Sequence, residues 1–189
     1  CMKKENKQNN FFEDILVLRC LKFFFENPYE KIHLRGFARK MKISLNTSQR
    51  FLNLFLEQNF IAESREANLR YFKANLNSLT FKHLKISFSL GELENSGLID
   101  YLAEKFPQVI LFGSIAKGED DINSDIDLVC IGIKKELDLS EFSKKLKKEI
   151  AVHQFTISEW KKQKDNNKAF YHDIISTGIN LIGEIPILD

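Results

Sequence analysis

Apolar positions recur at helical spacing over residues 11–26, at Phe12, Ile15, Leu16, Leu18, Leu21, Phe24 and Phe25, and predict an amphipathic helix. Asn27-Pro28 closes it, because the residue before a proline avoids the helical region. Lys31-Ile32-His33 reads as a short extended piece entering a second helix over 34–41. Lys42-Ile43 is the expected turn, and Ser44 the N-cap of a third helix over 45–58. Leu45, Ser48, Leu52, Phe55 and Leu56 form the expected inward side of that helix. Asn59 stands where a helix stops in a left-handed conformation. Two short strands, 60–65 and 69–74, flank a turn at Glu66-Ala67-Asn68.

The pattern then changes. Residues 77–106 read as helical, first a connector and then a helix over 93–106 stopped by Pro107. Val109-Ile110-Leu111-Phe112 is a continuous apolar run of the buried-strand kind, and 126–133 is another. An amphipathic helix over 139–149, a strand over 150–155 and helices near 158–164 and 168–182 complete the chain. Alternating strands and helices predict an α/β or α+β domain. No Gly/Ser-rich linker separates the two patterns, so a helical join is expected, with domains at 11–76 and 93–189 and a connector at 77–92.

Composition adds little to this picture, except that 17 Phe stand against one Trp in 189 residues. Charge adds more. The net +2 conceals a basic first part, where residues 1–80 carry 14 Lys/Arg against 8 Asp/Glu, and an acidic remainder with 14 against 18. All six Arg (19, 35, 39, 50, 65 and 70) lie in the first part, as expected for two domains with different partners. No apolar run reaches the length of a bilayer span, and the polar opening decapeptide lacks the apolar stretch of a signal peptide. Cys1, Cys20 and Cys130 have no metal-type spacing, and the last two sit in apolar runs. The expected location is the cytoplasm, with no membrane partner.

The stretch Leu111-Phe112-Gly113-Ser114-Ile115-Ala116-Lys117-Gly118, followed by Ser124-Asp125-Ile126-Asp127-Leu128-Val129, carries the candidate chemistry. A buried strand ending in Gly-Ser lets backbone approach a ligand closely, and a hydroxyl with amides can cradle phosphate. Residues i and i+2 of a strand share a face, so Asp125 and Asp127 project together while Ile126 and Leu128 enter the core. Two adjacent carboxylates repel each other unless a cation lies between them, and a hard divalent ion with phosphate as its other ligand suits the pair. The combination fits metal-assisted phosphoryl or nucleotidyl transfer.

This arrangement resembles the nucleotidyltransferase superfamily that includes DNA polymerase beta, kanamycin nucleotidyltransferase and the minimal nucleotidyltransferases. The resemblance implies that Gly113 and Ser114 bind the triphosphate of an NTP, and that Asp125 and Asp127 are catalytic and ligate Mg²⁺ or Mn²⁺. Lys117 stands where a basic residue often approaches phosphate; a solvated lysine is the competing reading. The family's third carboxylate has no clear counterpart. The best register puts Ala151 there, with Glu149 and His153 on the same face as substitutes.

In the first part, the stretch 34–47 resembles the helix-turn-helix of small microbial regulators, and Phe60-Ile61-Ala62 with Arg70-Tyr71-Phe72 resembles their wing. The implied fold is a winged helix (α with a small β wing) followed by the nucleotidyltransferase fold, and the implied partner is double-stranded DNA. Asn46, Thr47, Gln49, Arg50 and Asn53 are left facing outwards on the helix that enters a major groove. Amides read adenine edges and arginine reads guanine. Arg65, Arg70 and Lys73 on the wing, with Arg35 and Arg39 before the turn, are placed for phosphates.

Three functions compete: a DNA-binding regulator that binds NTP with Mg²⁺ and transfers NMP to an unidentified acceptor; a regulator with an inactive nucleotide-sensing domain; and an antitoxin-like nucleotidyltransferase acting on a partner toxin protein. A homodimer is left open.

Overall fold

The computed structural model describes residues 15–184. Among these, two compact units divide between Phe88 and Ser89. The start of the predicted first helix, including Phe12, lies outside the described residues, as does Cys1.

The first unit runs α1 (Leu16–Glu26), β1 (Ile32–His33), α2 (Leu34–Met41), α3 (Leu45–Glu57), β2 (Ile61–Glu66) and β3 (Leu69–Ala74). Its antiparallel sheet has the order β1-β3-β2. Local chemistry accounts for the boundaries. His33 caps α2 through Nδ1, which accepts from the Gly36 amide at 2.8 Å. Lys42 adopts a left-handed φ of 55°, and Ser44 Oγ then accepts from the Thr47 amide at 3.1 Å to start α3. Asn59 is left-handed as well, at φ 59°. The hairpin is tighter than expected. Glu66 pairs with Leu69, so Ala67-Asn68 alone make the turn, with Ala67 at φ 50°.

The core of this unit explains the phenylalanine excess. Phe24 is fully buried and meets Phe23, Phe37 and Phe55 with ring centroids 5.0, 5.5 and 6.1 Å away. Burial of one such side chain contributes roughly 1.5–3 kcal/mol, and edge-on ring pairs add to it. Ser48, Leu52 and Phe55 face inward, as read from the sequence. Leu45 does not: it is exposed at the first turn of α3, where no neighbouring element covers it, and Phe51 is buried instead.

One helix, α4 (Leu79–Ser96), takes in the predicted connector and the start of the predicted late helix. Gly97, at φ 82°, interrupts the helical path four residues after the predicted start at Leu93, and α5 (Leu98–Ala103) follows. Phe81 and Phe88 belong to the first core, whereas Leu90 and Leu93 pack with the second.

The second unit continues through β4 (Gln108–Phe112), α6 (Gly113–Lys117), β5 (Ile126–Ile131), α7 (Ser140–Leu146), β6 (Ile150–Phe155), α8 (Ile157–Asn166), α9 (Lys168–Thr177) and β7 (Ile179–Ile182). The sheet order is β6-β5-β4-β7; β5 and β6 are parallel, and the other pairs antiparallel. Both faces are covered, as the continuous apolar runs require. Val109, Leu111, Leu128 and Cys130 join Leu98, Leu102 and Phe106 on one face, while Ile110, Val129 and Ile131 join Trp160, Tyr171 and Ile174 on the other.

Three expectations are corrected here. β5 stops at Ile131, because Gly132 turns away and Ile133 is 80% exposed. α7 is shorter than the predicted 139–149 helix, ending where Lys147 takes φ 56°. The last predicted helix, 168–182, is α9 plus a strand. Gly178 donates its amide to the Ile174 carbonyl at 2.9 Å, then leaves the helix in an extended conformation. A Cβ at Gly178 would strike that carbonyl and Ile110, so only glycine lets β7 turn back onto β4 there.

Candidate functional site

β4 delivers Phe112 to the start of the Gly-Ser turn, and β5 returns alongside it with Phe112 paired to Asp127. Gly113 takes φ 74°, and a Cβ on it would overlap Oδ2 of Asp127. The carboxylate therefore lies directly against the glycine Cα, which requires glycine twice over: for the backbone angle and for the space. Ile126 and Leu128 are buried, as expected, which leaves Asp127 on the opposite face of β5. Asp125 precedes the strand and is exposed; Asp127 is half-buried.

The electrostatics of the pair are unfavourable in isolation. Burial pushes the Asp127 carboxyl above its usual range, and the neighbouring Asp125 pushes it further, against a smaller opposing influence of His153. A divalent cation would relieve both effects. The donor set fits Mg²⁺, which uses one or two protein carboxylates and completes its shell with substrate phosphates and water. Among the described residues, no third His, Cys, Asp or Glu joins the pair in a metal-holding group. Ala151 is the residue in register with Asp127 across the parallel β5/β6 pair. Glu149 and His153 are exposed, and His153 packs its ring against Phe112 and Phe170 at 5.6 and 5.7 Å.

Ser114 is the second residue of α6 and is half-buried. Lys117, at the other end of that short helix, is ion-paired with Asp173 of α9 at 2.7 Å. Sequence reading missed both Asp173 and Lys148. Lys148 Nζ donates to the Ser124 carbonyl at 2.9 Å and to the Asp121 carbonyl, tying down the loop that leads into Asp125. The loop is further closed by the Asp121 amide donating to Ser124 Oγ at 2.9 Å. Lys148 sits among Lys144, Lys145 and Lys147, and nothing in the run distinguishes it before the fold brings it to the loop.

Residues 96–174 match the family model described as Nucleotidyltransferase domain. The matched segment spans Gly113, Ser114, Asp125 and Asp127 and supports an NTP-using transferase chemistry for this part of the chain. A solved structure titled "Possible transcriptional regulator" from Methanosarcina mazei Go1 is similar at 17% identity, over 47% of this chain and 76% of its own, with a TM-score of 0.33. No curated protein matches the chain. Among the described residues, no helix is long and apolar enough to cross a membrane.

The first unit holds the other candidate surface. On α3, Asn46, Arg50 and Asn53 are exposed, whereas Thr47 and Gln49 are half-buried. Thr47 Oγ1 lies 2.9 Å from Ser44 Oγ, and Gln49 Nε2 donates to Asn53 Oδ1 at 2.8 Å. A groove of about 510 Å³ brings Arg35, Gln49, Asn68 and Arg70 together. The hairpin cations are already engaged. Arg70 forks onto Glu63 at 2.8 and 2.5 Å, Arg65 Nε lies 3.7 Å from the same carboxylate, and Lys73 stands 5.5 Å above the Tyr29 ring. Arg70 thereby holds the Glu63 carboxyl below its usual range.

Proposed function

We propose that this protein is a DNA-binding regulator whose second unit binds an NTP together with Mg²⁺ or Mn²⁺. The observation that carries the nucleotide reading is the Asp127 carboxylate laid against Gly113, with Asp125 close enough to disfavour its ionisation. Gly113 and Ser114 present amides and a hydroxyl to the triphosphate, Asp125 and Asp127 hold the ion, and Lys148 keeps the approach to Asp125 in place. A bound divalent ion would neutralise phosphate charge there. Calorimetry with each NTP, with and without divalent metal, tests the site. Metal-dependent binding that disappears in Asp125→Ala/Asp127→Ala is expected; metal-independent binding, or binding the double variant retains, overturns it.

Transfer of NMP to an acceptor, including a partner toxin protein, is the second reading. The preserved Gly-Ser and Asp-x-Asp sequences favour it, and Ala151 opposite Asp127 favours nucleotide sensing instead. Incubation with labelled NTP and Mg²⁺ separates the two, since only a transferase moves label onto protein.

The DNA reading, a winged helix over 11–76, rests on the order helix, strand, helix, helix, hairpin, with a left-handed turn at Lys42 between α2 and α3. Asn46, Arg50 and Asn53 on the exposed face of α3 suit base edges, with Thr47 and Gln49 beside them. Arg50→Gln should lower discrimination between duplex sequences by about 1–3 kcal/mol at one position. The absence of any salt-sensitive duplex affinity in the intact protein would remove the assignment.

A further inference from the structure

Arg65 and Arg70 face one another directly across the β2/β3 pair. Like charges at directly opposed positions are unfavourable. Glu63 lies one diagonal away from Arg70 and contacts both guanidiniums, accepting a fork from Arg70 and lying within 3.7 Å of Arg65. Glu66, at the hairpin turn, is in turn taken by Lys31 at 2.5 Å. Glu63 thus offsets part of the charge of the two hairpin arginines. Among the described residues, Arg35 and Arg39 on α2, Lys42 in the turn and Arg50 on α3 are exposed and carry no ion pair.

We infer that the duplex is held by the cations of α2, the turn and α3, and that Glu63 silences the hairpin arginines as phosphate ligands. The inference rests on the DNA-binding reading and refines it. The carboxylate takes Nε and one Nη2 hydrogen of Arg70, so a phosphate reaches that guanidinium only by its outer edge, where it also meets the negative charge of Glu63. The α2 and α3 cations have no such competitor. Base reading by α3 is left intact, and only the source of the sequence-independent affinity changes.

Duplex affinity of the full chain measured across a salt series tests this with two sets of variants. Glu63→Gln keeps the shape of the side chain and removes its charge. It should tighten binding about three- to fivefold at low salt, to specific and scrambled duplexes alike, and steepen the slope of log affinity against log salt by roughly one. Independently, Arg65→Gln/Arg70→Gln should change the affinity less than about twofold, whereas Arg35→Gln/Arg39→Gln should lower it about tenfold and flatten the slope. If Glu63→Gln leaves affinity and slope unchanged with its melting curve intact, the inference fails. It also fails if the hairpin double variant weakens binding as much as the α2 double variant does. That second comparison stands even if Glu63→Gln folds poorly. Loss of duplex binding in every protein, wild type included, overturns the DNA reading itself and the inference with it; the other outcomes leave that reading in place.

Discussion

Glu63 in the first unit and Asp127 in the second are both carboxylates on a strand, and their surroundings push them in opposite directions. Glu63 lies between two arginines and is held below its usual range, chiefly by hydrogen bonding from Arg70. Asp127 is desolvated against Gly113 with Asp125 beside it and is pushed above its usual range. The first acid already has its cations. The second is crowded by burial and by a like charge, and this contrast separates an ion pair within the fold from a candidate ligand site.

The largest expected effect removes the acids of the second site. Asp125→Ala/Asp127→Ala should abolish metal-dependent NTP binding in calorimetry while leaving the Phe-rich first unit folded. Persistence of that binding would break the contrast outright. Next in size is Gly113→Ala, which forces a positive φ on alanine and drives its Cβ into Asp127. We expect a stability loss of about 1–3 kcal/mol in urea unfolding, together with weakened nucleotide binding.

A smaller effect reads the sign of the electrostatics. Because the folded-state pKa of Asp127 is raised, the unfolded chain releases this proton first as pH increases. Stability therefore falls across the window from the ordinary aspartate value up to the raised one, and stays lower above it. Asp127→Asn should then melt at a higher temperature than wild type at neutral pH without metal, and the gap should close below the ordinary aspartate value. Glu63 has the opposite sign. Its lowered pKa adds stability above the ordinary glutamate value that is lost as pH falls through the lowered one, and solvent screening at this surface position keeps that contribution small. A melting series of Glu63→Gln against pH should show a slight decrease at neutral pH. The smallest effect concerns Lys117. If it serves the nucleotide, Asp173→Asn should free it and tighten NTP binding about two- to threefold. Unchanged affinity would assign Lys117 to the pairing of α6 with α9 alone.

Local signals made much of this molecule legible. The α2 boundaries, the Ser44 cap and the left-handed Asn59 follow from capping and turn chemistry, which acts over a few residues. The Gly113-Ser114 and Asp125/Asp127 candidates can be proposed from the chain alone, because a strand end and an i, i+2 pair are local patterns, although Asp125 lies just before β5. Features that depend on distant partners were not legible. The inward or outward sense of Leu45 depends on whether another element reaches the first turn of α3, and the run of apolar residues after Gly178 suits helix and strand equally until β4 offers an edge.

The sequence by itself therefore determined most of the local elements, the Phe-rich core composition and the residue types of the candidate metal and phosphate site. Only the tertiary structure decided which charges cancel. Glu63 meets Arg70 because of the hairpin register, Lys117 meets Asp173 across α6 and α9, and Lys148 reaches the loop before Asp125. The physical reason is range. Caps and alternation act between near neighbours in the chain, whereas an ion pair or a carboxylate cluster depends on distances of a few ångströms between residues brought together only by folding.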